Sequence, residues 1–242
     1  MQPILFSIGP VNFYSYGFFV SIAFFVSMGL FYLMAKPKKL WDDNTFIKFV
    51  FVFIFVAIFA RLSFFLAYYD KYFNYWWEVF YFWHGGLVSY GGIIGMILAF
   101  IILFRPRLLE NLDILAVAVL GGGIFWRIGG IMAGSYPTEA SNFFWTINGR
   151  FPAVELESIL LLIGFAIFYF IYKKQWFKSG NIFFAVFGYY GILRIILDYY
   201  RVYPKFFGSL NIGQFSGLIF LLVSIMAIII LKIVRIKKSS HH

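Results

Sequence analysis

Residues 46–69 read FIKFVFVFIFVAIFARLSFFLAYY, and this stretch determines what kind of fold the chain can have. It contains only two charged residues, Lys48 near its start and Arg61 in its second half. A helix needs roughly 20 apolar residues to cross a hydrocarbon core about 30 Å thick. The stretch has that length and therefore predicts a membrane-spanning helix.

The composition of the whole chain agrees with a lipid environment. Its 242 residues are 62% hydrophobic and 12% charged, whereas soluble domains are about 45–50% apolar and about 25% charged. No polar shell can cover that much apolar surface, so we expect an all-α polytopic membrane protein. Seven segments reach approximately the spanning length: 11–35, 46–69, 87–104, 112–133, 155–172, 181–200 and 212–234.

The basic residues between these segments predict an orientation. With the N-terminus outside, 13 of the 20 Lys and Arg residues fall at the inner ends of the spans, and four fall outside. Inner loops of membrane proteins are enriched in Lys and Arg. The sequence therefore predicts seven helices in one transmembrane domain over 1–238, with the N-terminus outside and the C-terminus inside. Residues 239–242, which end in His241 and His242, are expected to be a tag remnant.

Several classes of function are disfavoured by the composition. The net charge of +10 is explained by the inner basic clusters, so no nucleic-acid partner is expected. The chain has no cysteine, which excludes disulfides, thiolate metal sites and a cysteine nucleophile. His84 is the one histidine outside the expected tag, so we expect neither a metal nor another cofactor.

Three arginines, Arg61, Arg127 and Arg194, fall within predicted spans. An arginine near the bilayer centre costs at least about 2.5–3.5 kcal/mol when it faces lipid, so such residues usually mark a functional interior. Arg194 can pair with Asp198 one helical turn later. Arg61 can pair with a buried acid. Arg127 has no acid within helical reach, and it is the strongest functional candidate.

Glycines cluster at two places in the sequence. The pairs Gly85-Gly86 and Gly91-Gly92 open the third span, and the run 121–123 precedes Arg127. Small residues allow helices to approach closely in lipid. Alternatively, glycine pairs at a helix N-terminus expose N–H groups that bind an anion. Beside arginines, the second alternative predicts a phosphate site.

Polar side chains within or at the ends of spans complete the candidate set. They are Tyr16, Ser89, Tyr90, Tyr190 and Gln214. Tyrosines at these depths are also typical of the interfacial aromatic belt.

Together these motifs resemble the phosphatidylglycerol–prolipoprotein diacylglyceryl transferases, a bacterial family that lipidates lipoproteins. The resemblance covers nearly the whole chain. It begins at 6–10 and Tyr16-Gly17 and ends at Gly213-Gln214. The matching motifs between them are 60–62, 83–92, 123–134, 152–157 and 190–194 followed by Asp198 and Arg201.

The resemblance implies a bacterial inner-membrane enzyme without cofactors. Such an enzyme moves the diacylglyceryl group of phosphatidylglycerol to the lipobox cysteine of a preprolipoprotein signal peptide, among membrane lipids. Arg127 and Arg194 are implied as the catalytic phosphate clamp, because arginine binds phosphate oxygens with a planar fork. Tyr90 is a candidate proton relay, although activation of the thiol by the arginines is the preferred explanation. The implied substrate-binding residues are Tyr16, Arg61, Gly85, Gly86, Ser89, Gly91, Gly92, Gly129, Gly134, Glu157, Tyr190, Asp198, Arg201 and Gln214, with Arg61 pairing with Glu157.

The sequence also departs from the family pattern. The family's histidines, asparagines, acid and glutamine are replaced at Tyr90, Gly130, Ala133, Ser135, Phe151 and Val154. These replacements keep open a second hypothesis, a diverged paralogue that binds lipid or lipoprotein without this chemistry or uses another phospholipid donor. A transporter or channel is the third hypothesis. It is disfavoured because the sequence shows neither inverted repeats nor matching broken helices.

Overall fold

The computed structural model of the chain describes residues 4–9, 11–81, 88–105, 107–134, 138–141 and 144–239. The chain divides into two compact units. The split unit comprises Met1–Met34 and Leu112–His242, and the middle unit comprises Ala35–Asn111. The single domain expected over 1–238 stays a prediction, and the histidines of the expected tag remnant lie outside the described residues.

The described residues are mostly helical and include two small antiparallel strand pairs. The strands are β1 (Ile4–Ile8), β2 (Val11–Tyr14), β3 (Lys205–Phe207) and β4 (Leu210–Asn211). The α-helices are α1 (Ser15–Ala35), α2 (Thr45–Ala67), α3 (Tyr69–Tyr72), α4 (Ser89–Leu103), α5 (Leu108–Ala133), α6 (Ala153–Lys174), α7 (Asn181–Leu197) and α8 (Ile212–Ser239). Short 3₁₀ helices occupy Lys36–Lys38, Phe73–Phe80 and Asp198–Tyr200.

All seven predicted spans contain a helix, and six of these helices are long and apolar enough to cross a membrane. The exception is α4, which has 15 residues. At a rise of 1.5 Å per residue it is about 22 Å long, less than a typical hydrocarbon core. The chain is therefore a multi-pass membrane protein, while the seventh span and the orientation stay predictions.

The first predicted span is wrong at its start. Residues 11–14 form β2, which pairs with β1 before α1 begins at Ser15. The rings of Phe6 and Phe13 stack across this hairpin with centroids 4.5 Å apart. Apolar strand residues and apolar helix residues have the same hydropathy, so the sequence pattern extended the helix too far.

Glycines set the helix packing of the split unit. A Cβ atom added to Gly217 of α8 would lie 2.6 Å from the carbonyl oxygen of Gly191 in α7, and one added to Gly191 would lie 2.7 Å from that of Gly217. In α5, a Cβ atom on Gly121 would lie 2.5 Å from Leu30, and one on Gly122 would lie 2.5 Å from the carbonyl oxygen of Ala23. Gly121 and Gly122 therefore allow close helix packing, as is usual for small residues in membrane helices.

The middle unit is built around the contact between α2 and α4. A Cβ atom on Gly95 would lie 2.5 Å from the carbonyl oxygen of Phe55, and one on Gly91 would collide with Phe59 and Ser63. The backbones of the two helices thus touch along the first two turns of α4. This contact positions Arg61, which lies on the same turns of α2.

Candidate functional site

Five charged side chains of the split unit form one continuous set of ion pairs, which we call the arginine network. Arg127 of α5 donates to one carboxylate oxygen of Glu157 in α6. The other oxygen of Glu157 accepts from Arg201 Nη2 at 2.6 Å. Arg201 Nη1 lies 3.0 Å from Asp198 Oδ1, and Asp198 Oδ2 lies 2.8 Å from Arg194 Nη2. The order is therefore Arg127, Glu157, Arg201, Asp198, Arg194.

The arginine network carries an excess positive charge. Three guanidinium groups are balanced by two carboxylates, and each carboxylate lies between two guanidinium groups. Buried charges are tolerated when they are paired in this way. One positive charge remains unbalanced, so the network favours an anion beside it.

The members of the arginine network differ in their exposure. The Arg194 side chain is 14% exposed, compared with 4% for Arg127 and 0% for Arg201. Both carboxylates are buried. Within the network, Arg194 is thus the cation that an incoming anion reaches most easily.

The end of α7 places three of the five residues together. Arg194, Asp198 and Arg201 recur at intervals of four and three residues, and the helical path continues through the 3₁₀ turn Asp198–Tyr200. Such spacing keeps them on one face. The predicted pairing of Arg194 with Asp198 is confirmed.

The start of α8 supports this end of α7. Asn211 Nδ2 donates to the carbonyl oxygen of Asp198 at 2.6 Å. A Cβ atom added to Gly213 would lie 2.6 Å from the carboxylate carbon of Asp198 and 2.9 Å from Arg194 Nη2. Glycine at position 213 therefore leaves the space that the ion pair occupies.

Gln214 has a structural partner. Its N–H donates to Asn211 Oδ1 at 2.9 Å, and its Oε1 accepts the N–H of Asn211 at 3.2 Å. This reciprocal arrangement is a capping box at the N-terminus of α8. The described contacts of Gln214 thus stabilise the helix, while its predicted substrate contact stays a prediction.

Aromatic groups surround Arg127. The hydroxyl of Tyr190 in α7 accepts from Arg127 Nη2 at 3.0 Å. The ring of Trp126 lies 5.7 Å from the guanidinium carbon. Six of the predicted site residues are therefore brought together in the split unit: Arg127, Glu157, Tyr190, Arg194, Asp198 and Arg201.

Other predicted residues of the split unit have packing roles. A Cβ atom on Gly129 would lie 2.8 Å from Phe19 Cβ and 3.4 Å from the backbone of Tyr16, so this glycine permits the contact between α1 and α5. Gly134 follows α5 with a φ of +69°. A glycine in this left-handed conformation is the usual end of a helix.

Some of the predicted site residues of the middle unit lie within the residues that the structure describes, and others lie outside them. Gly85 and Gly86 lie outside the described residues. Ser89, Tyr90, Gly91 and Gly92 form the first turn of α4, as the sequence pattern predicted, although the side chain of Ser89 is not described.

Arg61 of the middle unit donates to backbone carbonyl oxygens of residues 78–81. Glu157 in the split unit binds Arg127 and Arg201. The predicted pairing of Arg61 with Glu157 would join the two units, and it stays a prediction.

Two polar residues of the split unit, one beside the arginine network and one at the opposite end of α5, were not identified as candidates from the sequence. Asn211 could have been found, because an Asn followed three residues later by a Gln before an apolar run is a capping signal. Asp113 of α5 gives no such signal. Its carboxylate accepts from the N–H groups of Gly180 and Phe183, which are 67 and 70 residues away in the sequence.

Comparisons with known proteins agree with the resemblance. The profile of the family described as prolipoprotein diacylglyceryl transferase matches residues 3–230. A phosphatidylglycerol–prolipoprotein diacylglyceryl transferase of Chloroherpeton thalassium is 28% identical, with 94% of this chain and 91% of the relative covered. Proteins with the same description from Staphylococcus epidermidis and Streptococcus pneumoniae are 26% and 25% identical, with 95% of this chain and 88% and 94% of the relatives covered.

Proposed function

Because the chain belongs to the prolipoprotein diacylglyceryl transferase family, we propose that it transfers the diacylglyceryl group of phosphatidylglycerol to the lipobox cysteine thiol of a preprolipoprotein. The observation that supports a site for this reaction is the arginine network, whose unbalanced positive charge is most accessible at Arg194. A phospholipid phosphate is an anion of the kind that such a network attracts.

The reaction exchanges one bond to a glycerol carbon for another. The cysteine sulfur attacks the carbon that carries the phosphate, a C–S thioether bond forms and the C–O bond to the phosphate breaks. The bonding electrons leave with the phosphate, and glycerol phosphate is released. Negative charge therefore increases on the phosphate oxygens, and fixed cations beside them lower the barrier.

We assign the direct phosphate contact to Arg194. Its guanidinium is held by Asp198 and is the most exposed of the three in the network. Arg127 is held by Glu157 and Tyr190, so it keeps a fixed position and adds positive potential behind the phosphate. Groups that are fixed before the reaction need no reorganisation when the charge develops.

The thiol proton is the second requirement. A free cysteine has a pKa of about 8.5, so only a few per cent is thiolate at neutral pH. The unbalanced positive charge of the arginine network favours the thiolate and lowers this pKa. Tyr90 is a separate proposal, a proton relay in the first turn of α4.

The arginine network lies near one end of each of the three helices that carry it. Arg127 lies six residues before the end of α5, Glu157 lies four residues after the start of α6, and Arg194 lies three residues before the end of α7. Six residues of helix are about 9 Å long. With seven spans and the N-terminus outside, all three ends lie at the outer face of the bacterial inner membrane, at the level of lipid headgroups.

The experiment uses the full chain in proteoliposomes with a lipobox peptide and phosphatidylglycerol labelled in its acyl chains. Appearance of label on the peptide, with release of glycerol phosphate, supports the proposal. A lipobox Cys→Ser peptide is the matched control, because it lacks the thiol nucleophile.

The alternative is that the chain is a diverged paralogue. Tyr90, which replaces a histidine of the family, favours this alternative. It predicts peptide or lipid binding without label transfer, or transfer only from another phospholipid such as phosphatidylethanolamine. Rescue of a bacterial strain depleted of its own transferase distinguishes the two functions in cells.

A further inference from the structure

Arg61 is buried in α2 and is occupied by backbone oxygens. Its Nη2 donates to the carbonyl oxygen of Glu78 at 2.6 Å and to that of Tyr81 at 3.0 Å, and its Nε donates to that of Val79 at 3.3 Å. The residue is 2% exposed. These carbonyl groups lie at the C-terminal end of the 3₁₀ helix Phe73–Phe80, where the partial negative charge of a helix favours a cation.

Two aromatic rings enclose the same guanidinium group. The ring centroids of Phe64 and Phe65 lie 5.6 and 5.2 Å from its central carbon. Cations are stabilised at such distances by the ring faces. The contacts of Arg61 are therefore those of an internal anchor within the middle unit.

The anchored stretch, residues 73–81, is rich in exposed aromatic side chains, and we call it the aromatic segment. Trp76 is 64% exposed, and Tyr75, Trp77 and Phe80 are exposed as well. Trp and Tyr are enriched where a protein meets the membrane–water interface. The segment thus has the composition of a surface element at the end of α2.

The aromatic segment has little internal support. Runs of 3₁₀ helix longer than three or four residues are uncommon, because their hydrogen-bond geometry is poor. In Phe73–Phe80 the backbone of Tyr75 is not helical, so the segment consists of two short 3₁₀ turns joined by a kink. Three hydrogen bonds from a buried arginine supply the support that the local structure lacks.

A second contact fixes the chain beyond the aromatic segment to the same turn of α2. The N–H of Val88 donates to the carbonyl oxygen of Ala60 at 3.0 Å. Tyr81 and Val88 are therefore held by adjacent residues, Arg61 and Ala60. The glycine pair predicted to bind substrate lies between these two anchors in the sequence.

We propose that Arg61 is a positioning residue for diacylglyceryl transfer, which holds the aromatic segment against α2 through its backbone carbonyl groups instead of contacting the phospholipid. The role rests on the proposed function. It predicts that loss of Arg61 loosens the aromatic segment and lowers kcat, while the KM for phosphatidylglycerol changes little.

Because the chain has no cysteine, a single introduced cysteine can be labelled specifically. A nitroxide label on Trp76→Cys reports the mobility of the aromatic segment without background. We expect a sharper, more mobile spectrum when Arg61→Ala is added. Arg107→Ala is the matched control in the same unit, because Arg107 is an exposed arginine that pairs with Glu110. It is expected to leave the spectrum unchanged.

Kinetics in the unlabelled chain test the functional part. Arg61→Ala is expected to lower kcat about tenfold or more, with a KM within about twofold of the wild type, as for a lost positioning group. Arg61→Gln keeps two N–H donors without the charge and is expected to restore part of both kcat and segment rigidity. An unchanged label spectrum in Arg61→Ala overturns the proposal. So does a selective rise in KM that Arg61→Lys reverses, since that result indicates a direct contact with the phosphate.

The two proposals fail in different ways. If the wild-type chain transfers no label to the peptide, the proposed function fails, yet the nitroxide spectra still test the anchor. Arg61→Gln also covers the case in which the alanine variant does not fold, because it removes the charge but keeps a polar side chain.

Discussion

Asp113 of α5 caps the N-terminus of α7 at Gly180, whose N–H lies 2.6 Å from Asp113 Oδ2. Gly180 precedes the helix and has no side chain with which to cap it. Asp113 Oδ1 also accepts the N–H of Phe183 at 2.8 Å. One carboxylate from another helix thus satisfies two of the N–H groups that a helix start leaves open.

Asp113→Ala is therefore expected to destabilise the protein by about 0.5–2 kcal/mol, the usual effect of losing a cap. Thermal unfolding in detergent measures the change. Asp113→Asn keeps one acceptor oxygen, so it is expected to lower the stability less than Asp113→Ala does. Glu110→Ala, one turn earlier and part of a surface ion pair, serves as the control. Equal losses in Asp113→Ala and Glu110→Ala would contradict the capping role.

Arg194→Ala is expected to lower the kcat for diacylglyceryl transfer by about 10²–10³, the usual effect of removing a donor that stabilises developing negative charge. Arg194→Lys keeps the charge without the planar fork, so an intermediate rate is expected. The lipobox-peptide assay measures both. Arg150→Ala, an exposed arginine of the same unit outside the arginine network, is expected to behave like the wild type. Near-normal turnover by Arg194→Ala would remove Arg194 from the mechanism.

Glu157→Ala is expected to destabilise the protein by about 3–5 kcal/mol, because it leaves two buried guanidinium groups without their shared carboxylate. Glu155→Ala is the matched control, since this acid is two residues away in the same helix and only partly buried. Unfolding midpoints of the two variants give the comparison. A loss for Glu157→Ala no larger than that for Glu155→Ala would show that the ion pairs contribute little.

Gly213→Ala adds one methyl group beside the pair formed by Arg194 and Asp198. Overpacking of this kind costs about 1–3 kcal/mol, and the displaced Arg194 is expected to reduce transfer activity as well. Gly29→Ala makes the same change in α1, where no other atom of the described residues, apart from the backbone of the helix itself, lies within 4 Å of the added Cβ. Activity and thermal stability of this control are expected to stay near wild type. An active, stable Gly213→Ala variant would contradict the need for this space.

Tyr90→Phe tests how the thiol proton is removed. If the positive potential of the arginine network activates the thiol, the variant is expected to retain transfer within about twofold at pH 7. A loss of about a hundredfold or more, outside the range of a packing change, would assign the proton relay to Tyr90.

The helices were largely predictable from the sequence, because a lipid environment requires long apolar segments that stand out in composition. The ends were less predictable. Hydropathy alone could not separate β2 from α1, and α8 continues to Ser239 through the basic residues that were expected to lie beyond it.

The candidate site was predictable only where its partners are close in sequence. Arg194 and Asp198 are one turn apart, and their pair followed from helical spacing. Arg127 and Glu157 are 30 residues apart, and Arg201 and Glu157 are 44 apart, so these pairs depend on how α5, α6 and α7 meet.

The glycines were ambiguous for a different reason. Close packing and anion binding both require a missing side chain, and only the neighbouring atoms distinguish them. Gly91 and Gly129 have packing neighbours that a side chain would displace.

The order of charges in the arginine network affects both the binding of the phospholipid and the interaction with the glycerol phosphate product. An odd-numbered row that alternates from Arg127 to Arg194 has a cation at each end. A singly charged phosphodiester beside Arg194 completes an even, neutral row of six. The glycerol phosphate that leaves carries a charge of about −1.5 to −2 at neutral pH, as other phosphate monoesters do. This larger negative charge interacts more strongly with the cation at Arg194 than the charge of the lipid does, so the arrangement that accepts the lipid also holds the departing product.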